Sequence, residues 1–179
     1  MLREKRILLV VTGGIAAFKS LDLVRQIRSA GGKVRTILTQ SASEFVTPLS
    51  LQALTEDKVY SDIFSLTDES EMGHIQLSRK ADLIVVAPAT ANFMAKMRAG
   101  ISDDLASTVV LATDKPIIVA PAMNVRMWDK AATQENISVL KDRGIKFVGP
   151  NDGEMACGEY GLGRMSEPSE IIDAIQLAL

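Results

Sequence analysis

Residues 6–39 read RILLVVTGGIAAFKSLDLVRQIRSAGGKVRTILT. Arg6 to Thr12 is an almost continuous run of leucine and β-branched residues, the pattern of a strand covered on both faces. Two glycines follow. From Phe18 to Ala30, the residues Leu21, Leu23, Val24 and Ile27 recur at helical spacing, and Gly31-Gly32 supplies a helix stop. Lys33 to Thr39 is a second strand-like run. Strand, helix and buried strand in succession form a unit whose strands lie parallel.

The same alternation continues outward. DLIVVAPA (82–89), PIIVAPA (116–122) and the weaker IKFVGP (145–150) read as further strands. Helical patterns cover Asp104–Thr113, Thr133–Arg143 and Ser169–Ala178, the last with Ser166 or Ser169 as its N-cap. The expectation is one α/β domain over residues 1–179, built on a doubly wound parallel sheet.

Bulk composition narrows the partners. Lys and Arg number 20 against 22 Asp and Glu, a net charge of −2, so the basic footprint of a nucleic-acid binder is absent. Aromatics are 4% of the chain and apolar residues 47%, which calls for an aliphatic core. A single cysteine, Cys157, excludes an internal disulfide and fits a reducing compartment. The apolar run Ile7–Val11 is five residues, shorter than the ~7–15 of an export signal. No run approaches the ~18 apolar residues of a membrane span. The expected setting is the cytoplasm, with no membrane and no nucleic-acid partner.

In doubly wound folds ligands sit beyond the carboxyl ends of the strands. Here those ends carry TGGIA, TQSAS, APATAN and APAMN, all rich in small residues, hydroxyls and amides. The TGG turn entering a helix suits a phosphate. It is not a GxGxxG fingerprint, and Phe18 stands where a Walker motif needs glycine before Lys19-Ser20, so neither a dinucleotide nor a nucleoside triphosphate is indicated. Thr39, Ser41, Thr90 and Asn92 offer neutral donors to a mononucleotide.

Three residues invite a chemical reading. His74 is the only histidine; taken alone, it reads as a surface or capping residue before it reads as a proton carrier. Asn124 follows a strand end, and spacing leaves open whether it caps the next helix or holds a ligand. Cys157 sits in GEMACGEYGLGRM, too rich in glycine for ordinary core and suggestive of a mobile flap over about 151–166.

TGGIAAFK, TPLSLQALT (47–55), GHIQLSRKADLIVVAPATAN (73–92), APAMNVRMW (120–128) and ACGEYGLGRM (156–165) together resemble the flavin-dependent cysteine decarboxylases. Within that family the likeness is to the phosphopantothenoylcysteine decarboxylases of coenzyme A biosynthesis. It extends in order over essentially the whole chain. The resemblance implies a flavodoxin-like/Rossmann-like three-layer sandwich, FMN as cofactor and no metal. It implies cofactor contacts at Gly14, Ile15, Ala16, Thr39, Ser41, Ala89, Thr90 and Asn92. Catalytic roles fall to His74, Asn124 and Cys157, and substrate contacts to Asn124, Met127, Ala156, Gly163, Arg164 and Met165.

The implied reaction is transient oxidation of the substrate thiol to a thioaldehyde, loss of CO2, and re-reduction with Cys157 as proton donor. The oxidation is needed because direct CO2 loss would leave a carbanion with no electron sink. The family also implies a homotrimer or homododecamer with His74 and Asn124 of one site on different subunits. In its bifunctional members a CTP-dependent phosphopantothenate–cysteine ligase domain follows. Met94 and Met97 are candidates for such an interface or for core. Competing readings are a non-catalytic flavin-binding regulatory subunit, a peptidyl-cysteine decarboxylase, a prenyl-FMN synthase and a flavodoxin-type electron carrier.

Overall fold

The computed structural model describes residues 1–62 and 73–179. Among these residues six parallel strands form the main sheet: β1 (Arg6–Val11), β2 (Lys33–Leu38), β3 (Val59–Tyr60), β4 (Leu83–Ala89), β5 (Ile117–Pro121) and β6 (Lys146–Phe147), ordered β3-β2-β1-β4-β5-β6. The sequence accounts for this order. All seven residues of β4 are buried, and β1 is apolar from Ile7 onward, so both belong at the centre. The two-residue strands β3 and β6 form the edges, where a short strand offers little backbone for unwanted pairing.

Eight α-helices accompany the sheet among the described residues: α1 (Lys19–Ser29), α2 (Pro48–Thr55), α3 (Gly73–Arg79), α4 (Ala91–Ala99), α5 (Leu105–Ala112), α6 (Val125–Trp128), α7 (Ala131–Asp142) and α8 (Pro168–Ala178). Side chains alternate across a strand, so β1 feeds two cores. Leu9 and Val11 pack with Leu23, Val24 and Ile27 of α1, Leu51 of α2 and Ile171 of α8. Leu8 and Val10 pack on the other face with Leu77 of α3, Phe93 of α4, Val109 of α5 and Leu140 of α7. The result is the expected three-layer sandwich. Each such aliphatic side chain contributes about 1.5–3 kcal/mol on burial.

Several local features differ from expectation. Helix α8 is capped by Glu167, not by Ser166 or Ser169: Pro168 opens the helix and Glu170 reaches back to the Glu167 N–H at 2.7 Å. Met94 is fully buried, and Met97, partly buried, packs against the same core. Residues 151–164 hold an antiparallel hairpin, β7 (Asn151–Glu154) and β8 (Tyr160–Arg164), separate from the main sheet. No helix of the described residues is long and apolar enough to cross a membrane.

Strand order reverses between β1 and β4, because the chain leaves β1 for β2 on one side and returns to β4 on the other. Two parallel strands diverging in this way open a crevice at their carboxyl ends.

Candidate active site

A cleft of about 970 Å³ opens at that edge, within the range of small-molecule sites. Gly13 and Gly14 after β1, Thr39 and Ser41 after β2, and Thr90 and Asn92 after β4 line it. A Cβ at Gly13 would stand 2.8 Å from that of Ser41, so only bare backbone fits between the two turns. Gly14 leads into a short 3-10 turn, Ile15–Phe18, that no side chain caps.

Thr12 ties the switch point together. Its hydroxyl donates to Pro88 O at 2.6 Å and accepts from Thr90 N at 3.1 Å. Thr90 caps α4 and Thr39 accepts from Ala42 N at 3.2 Å, which leaves each hydroxyl proton available to a ligand. The cation lining the cleft, Lys96, is paired with Asp103 at 2.7 Å and Asp104 at 3.6 Å.

Of the eight residues expected around a cofactor, Gly14, Thr39, Ser41, Thr90 and Asn92 line this cleft. Ile15 and Ala16 lie in the adjoining turn, and Ala89 is buried at the end of β4. A glycine cradle, neutral hydroxyl and amide donors, and flanking Phe45 and Phe93 suit a ligand with a phosphate end and a planar apolar end. Lys19 does not serve as a phosphate-binding lysine here. Its Nζ donates to Met165 O at 3.1 Å and pairs with Glu167 at 2.7 Å.

A second cluster lies where α6 meets the hairpin. Asn124 caps the next helix with one side-chain atom and leaves the other facing the hairpin. Its Oδ1 accepts from Arg126 N at 2.8 Å and caps α6, and its Nδ2 points to the hairpin tip. There Nδ2 donates to Cys157 Sγ at 3.3 Å and to Glu159 Oε2. Cys157 is exposed, and its Sγ lies 3.8 Å from the same carboxylate oxygen. The other oxygen of Glu159 accepts from Arg126 Nε at 2.7 Å. The hydrogen bond from Arg126, then that from Asn124, hold the Glu159 carboxyl below its ordinary value, while Glu159 raises Arg126.

The glycines of the hairpin have a packing reason. A Cβ at Gly163 would collide with Met123 O, and Met123 N donates to Gly163 O at 2.9 Å. β8 therefore lies directly on the segment that carries Asn124. Ala156 is exposed beside Cys157. Met127 is half-exposed on α6, and Met165 is buried in the core. Arg164 faces Glu167 at 3.7 Å. His74 is half-buried at the start of α3, and among the described residues it neither lines the cleft nor bonds to Asn124, Cys157 or Glu159.

The sequence gives Arg126 and Glu159 no role in the site, Glu159 counting only as part of the glycine-rich flap. Each stands two residues beyond a residue that was named, Asn124 and Cys157. Their pairing depends on the hairpin register, which sets Glu154 opposite Tyr160.

The chain was compared with known proteins. It is 48% identical over 174 residues to the coenzyme A biosynthesis bifunctional protein CoaBC of Haemophilus influenzae, a match covering 97% of this chain and 44% of the relative. The chain thus spans less than half the length of the curated relatives it matches. A Cys-to-Ser mutant of PPC decarboxylase complexed with pantothenoylaminoethenethiol superposes with a TM-score of 0.86 at 34% identity, covering 98% of each chain. The FMN binding protein AtHal3 gives 0.85 at 36% identity, covering 98% of this chain and 96% of the other. The Flavoprotein family matches residues 1–179 from end to end. With a family match over its whole length and a ligand cleft at the sheet switch point, this chain belongs to the Flavoprotein family.

Proposed function

We propose that this chain is an FMN-dependent decarboxylase that converts phosphopantothenoylcysteine to phosphopantetheine and CO2 in coenzyme A biosynthesis. The observation that carries the reading is the approach of the Asn124 amide to the Cys157 thiol, 3.3 Å apart at the carboxyl edge of the sheet. The likeness to PPC decarboxylase and to an FMN binding protein, both over nearly the full chain, supports it.

Gly14, Ile15, Ala16, Thr39, Ser41, Ala89, Thr90 and Asn92 would hold FMN, with neutral donors around its polar groups and backbone at its phosphate. Bound there, FMN supplies two-electron acceptance and return, which gives an N-acylated cysteine carboxylate the electron sink it otherwise lacks. Asn124 Nδ2 orients the substrate carboxylate without the full charge of a cation, which would stabilise the group that must be lost. Cys157 donates its thiol proton to the enethiolate left after CO2 departs. Ala156, Gly163, Arg164 and Met165 shape the hairpin around it, with Met127 alongside.

His74 moves a proton at the substrate thiol, and in this reading it acts on the site of a neighbouring subunit in a trimer or dodecamer. The second activity of the longer bifunctional relatives is not proposed for these residues.

The test is direct. The purified protein should show the absorbance of oxidised flavin and release labelled CO2 from carboxyl-labelled phosphopantothenoylcysteine. A colourless, flavin-free preparation that decarboxylates at full rate overturns the proposal.

A further inference from the structure

We infer that Asn124 and Arg126 form a carboxylate subsite which the chain's own Glu159 fills, and that the substrate carboxylate displaces Glu159 from Asn124 while Arg126 retains it. This inference rests on the function proposed above and assigns Arg126 and Glu159 as positioning residues.

The geometry is that of a bound carboxylate. One oxygen of Glu159 accepts from Asn124 Nδ2 and the other from Arg126 Nε at 2.7 Å. The Asn124 amide is locked in this orientation because its Oδ1 is held by Arg126 N at 2.8 Å. An amide nitrogen has two hydrogens, and both are engaged: one acceptor is Glu159, the other Cys157 Sγ at 3.3 Å. A third acceptor can therefore enter only by replacing one of them. The incoming group is itself a carboxylate, and two like charges around one amide repel. Glu159 is the group that yields.

Its anchor remains. Arg126 is largely exposed, so the ion pair can swing outward with the hairpin tip. The tip turns on a short local closure, Met155 N to Glu159 O at 2.8 Å. Keeping Glu159 on Arg126 also neutralises that guanidinium. The departing carboxylate then faces a neutral amide, not a cation that would hold it in the ground state. Phosphopantetheine has no carboxylate, so after CO2 leaves Glu159 returns to Asn124. The hairpin is thus latched by the same interaction that the substrate makes and the product cannot.

The experiment uses the flavin-loaded protein and compares wild type with Glu159→Gln. Hydrogen exchange of the hairpin amides, measured without substrate, should accelerate about three- to tenfold in the variant, with β1 and β4 unchanged. Arg126→Gln removes the other half of the fork and should accelerate the same amides. With substrate, Glu159→Gln should lower KM for phosphopantothenoylcysteine about three- to tenfold, leaving the inhibition constant of phosphopantetheine unmoved.

Unchanged exchange in both variants, or a KM and an inhibition constant that rise together, overturns the inference; the second result would make Glu159 a structural support. Wild-type protein that releases no CO2 refutes the activity instead. In that case hairpin exchange with each ligand present decides the latch. Phosphopantothenoylcysteine alone altering it upholds the latch, and equal effects from both ligands overturn it.

Discussion

Asn124 Nδ2 lies 3.3 Å from Cys157 Sγ across 33 residues of chain. The contact exists because β8 is bare backbone where it crosses Met123, so the hairpin tip reaches the N-terminus of α6. It brings a neutral donor suited to a carboxylate beside a thiol suited to proton transfer.

Cys157→Ser should separate the two halves of the proposed reaction. Release of CO2 should persist, while formation of phosphopantetheine falls by about 10²–10⁴, the usual worth of a positioned general acid. Mass spectrometry should detect an oxidised enethiol lacking two hydrogens relative to the normal product. Normal yields of phosphopantetheine would remove Cys157 from its role.

Asn124 carries a cap and a donor on different atoms, and the two can be tested apart. Asn124→Ser retains a good N-cap and should melt close to wild type, whereas Asn124→Ala should lose about 1 kcal/mol. Both should reduce kcat/KM at least about 100-fold, since neither can donate as Nδ2 does. Activity that tracked stability would mean that Asn124 only caps.

Gly163→Ala should undock the hairpin. Gly163 has φ +149, and a methyl group there would strike Met123 O. The expected cost is about 1–3 kcal/mol. Gly158→Ala, at φ +81 with open space around it, should cost only about 1 kcal/mol. Thermal melts and proteolysis of the hairpin would rank the two, and equal effects would contradict the close packing.

At the opposite edge of the sheet, Arg6 bonds both oxygens of Asp82, at 3.3 and 2.8 Å, and holds its carboxyl below the ordinary 3.8. A depressed folded value means that the unfolded chain binds the proton first as pH falls. The stabilisation is therefore present above about pH 4 and lost progressively below it. Asp82→Asn should lower the melting temperature at pH 7 and flatten its decline between about pH 5 and 3. A variant with the acid limb of wild type would show that the pair contributes nothing.

Much of the fold was readable in the chain because burial on both faces of a parallel sheet writes itself as unbroken apolar runs. β1, β2, β4 and β5 begin and end within a residue or so of those runs, and α1, α5 and α7 follow their periodicity. Other elements left a fainter mark. β3 and β6 are two residues each, too short for a period to register. α4 buries only Phe93 and Met94 of its nine residues, too few for a clear apolar period, so the sequence leaves Met94 and Met97 open between core and surface. The cap of α8 differs from expectation because a glutamate takes a place that serine usually holds.

By itself, then, the amino-acid order determined the parallel α/β sandwich, the clustering of polar turns at one edge, and the identity of His74, Asn124 and Cys157 as chemically notable groups. These follow from local periodicity and residue type. The tertiary structure alone decided which of them meet. Asn124 and Cys157 are joined by hairpin register and the absence of side chains at the β8 crossing, and Glu159 finds Arg126 by the same route. His74 stays apart from that cluster among the described residues. Contacts between residues more than thirty positions apart depend on how elements pack, and no short-range pattern encodes that.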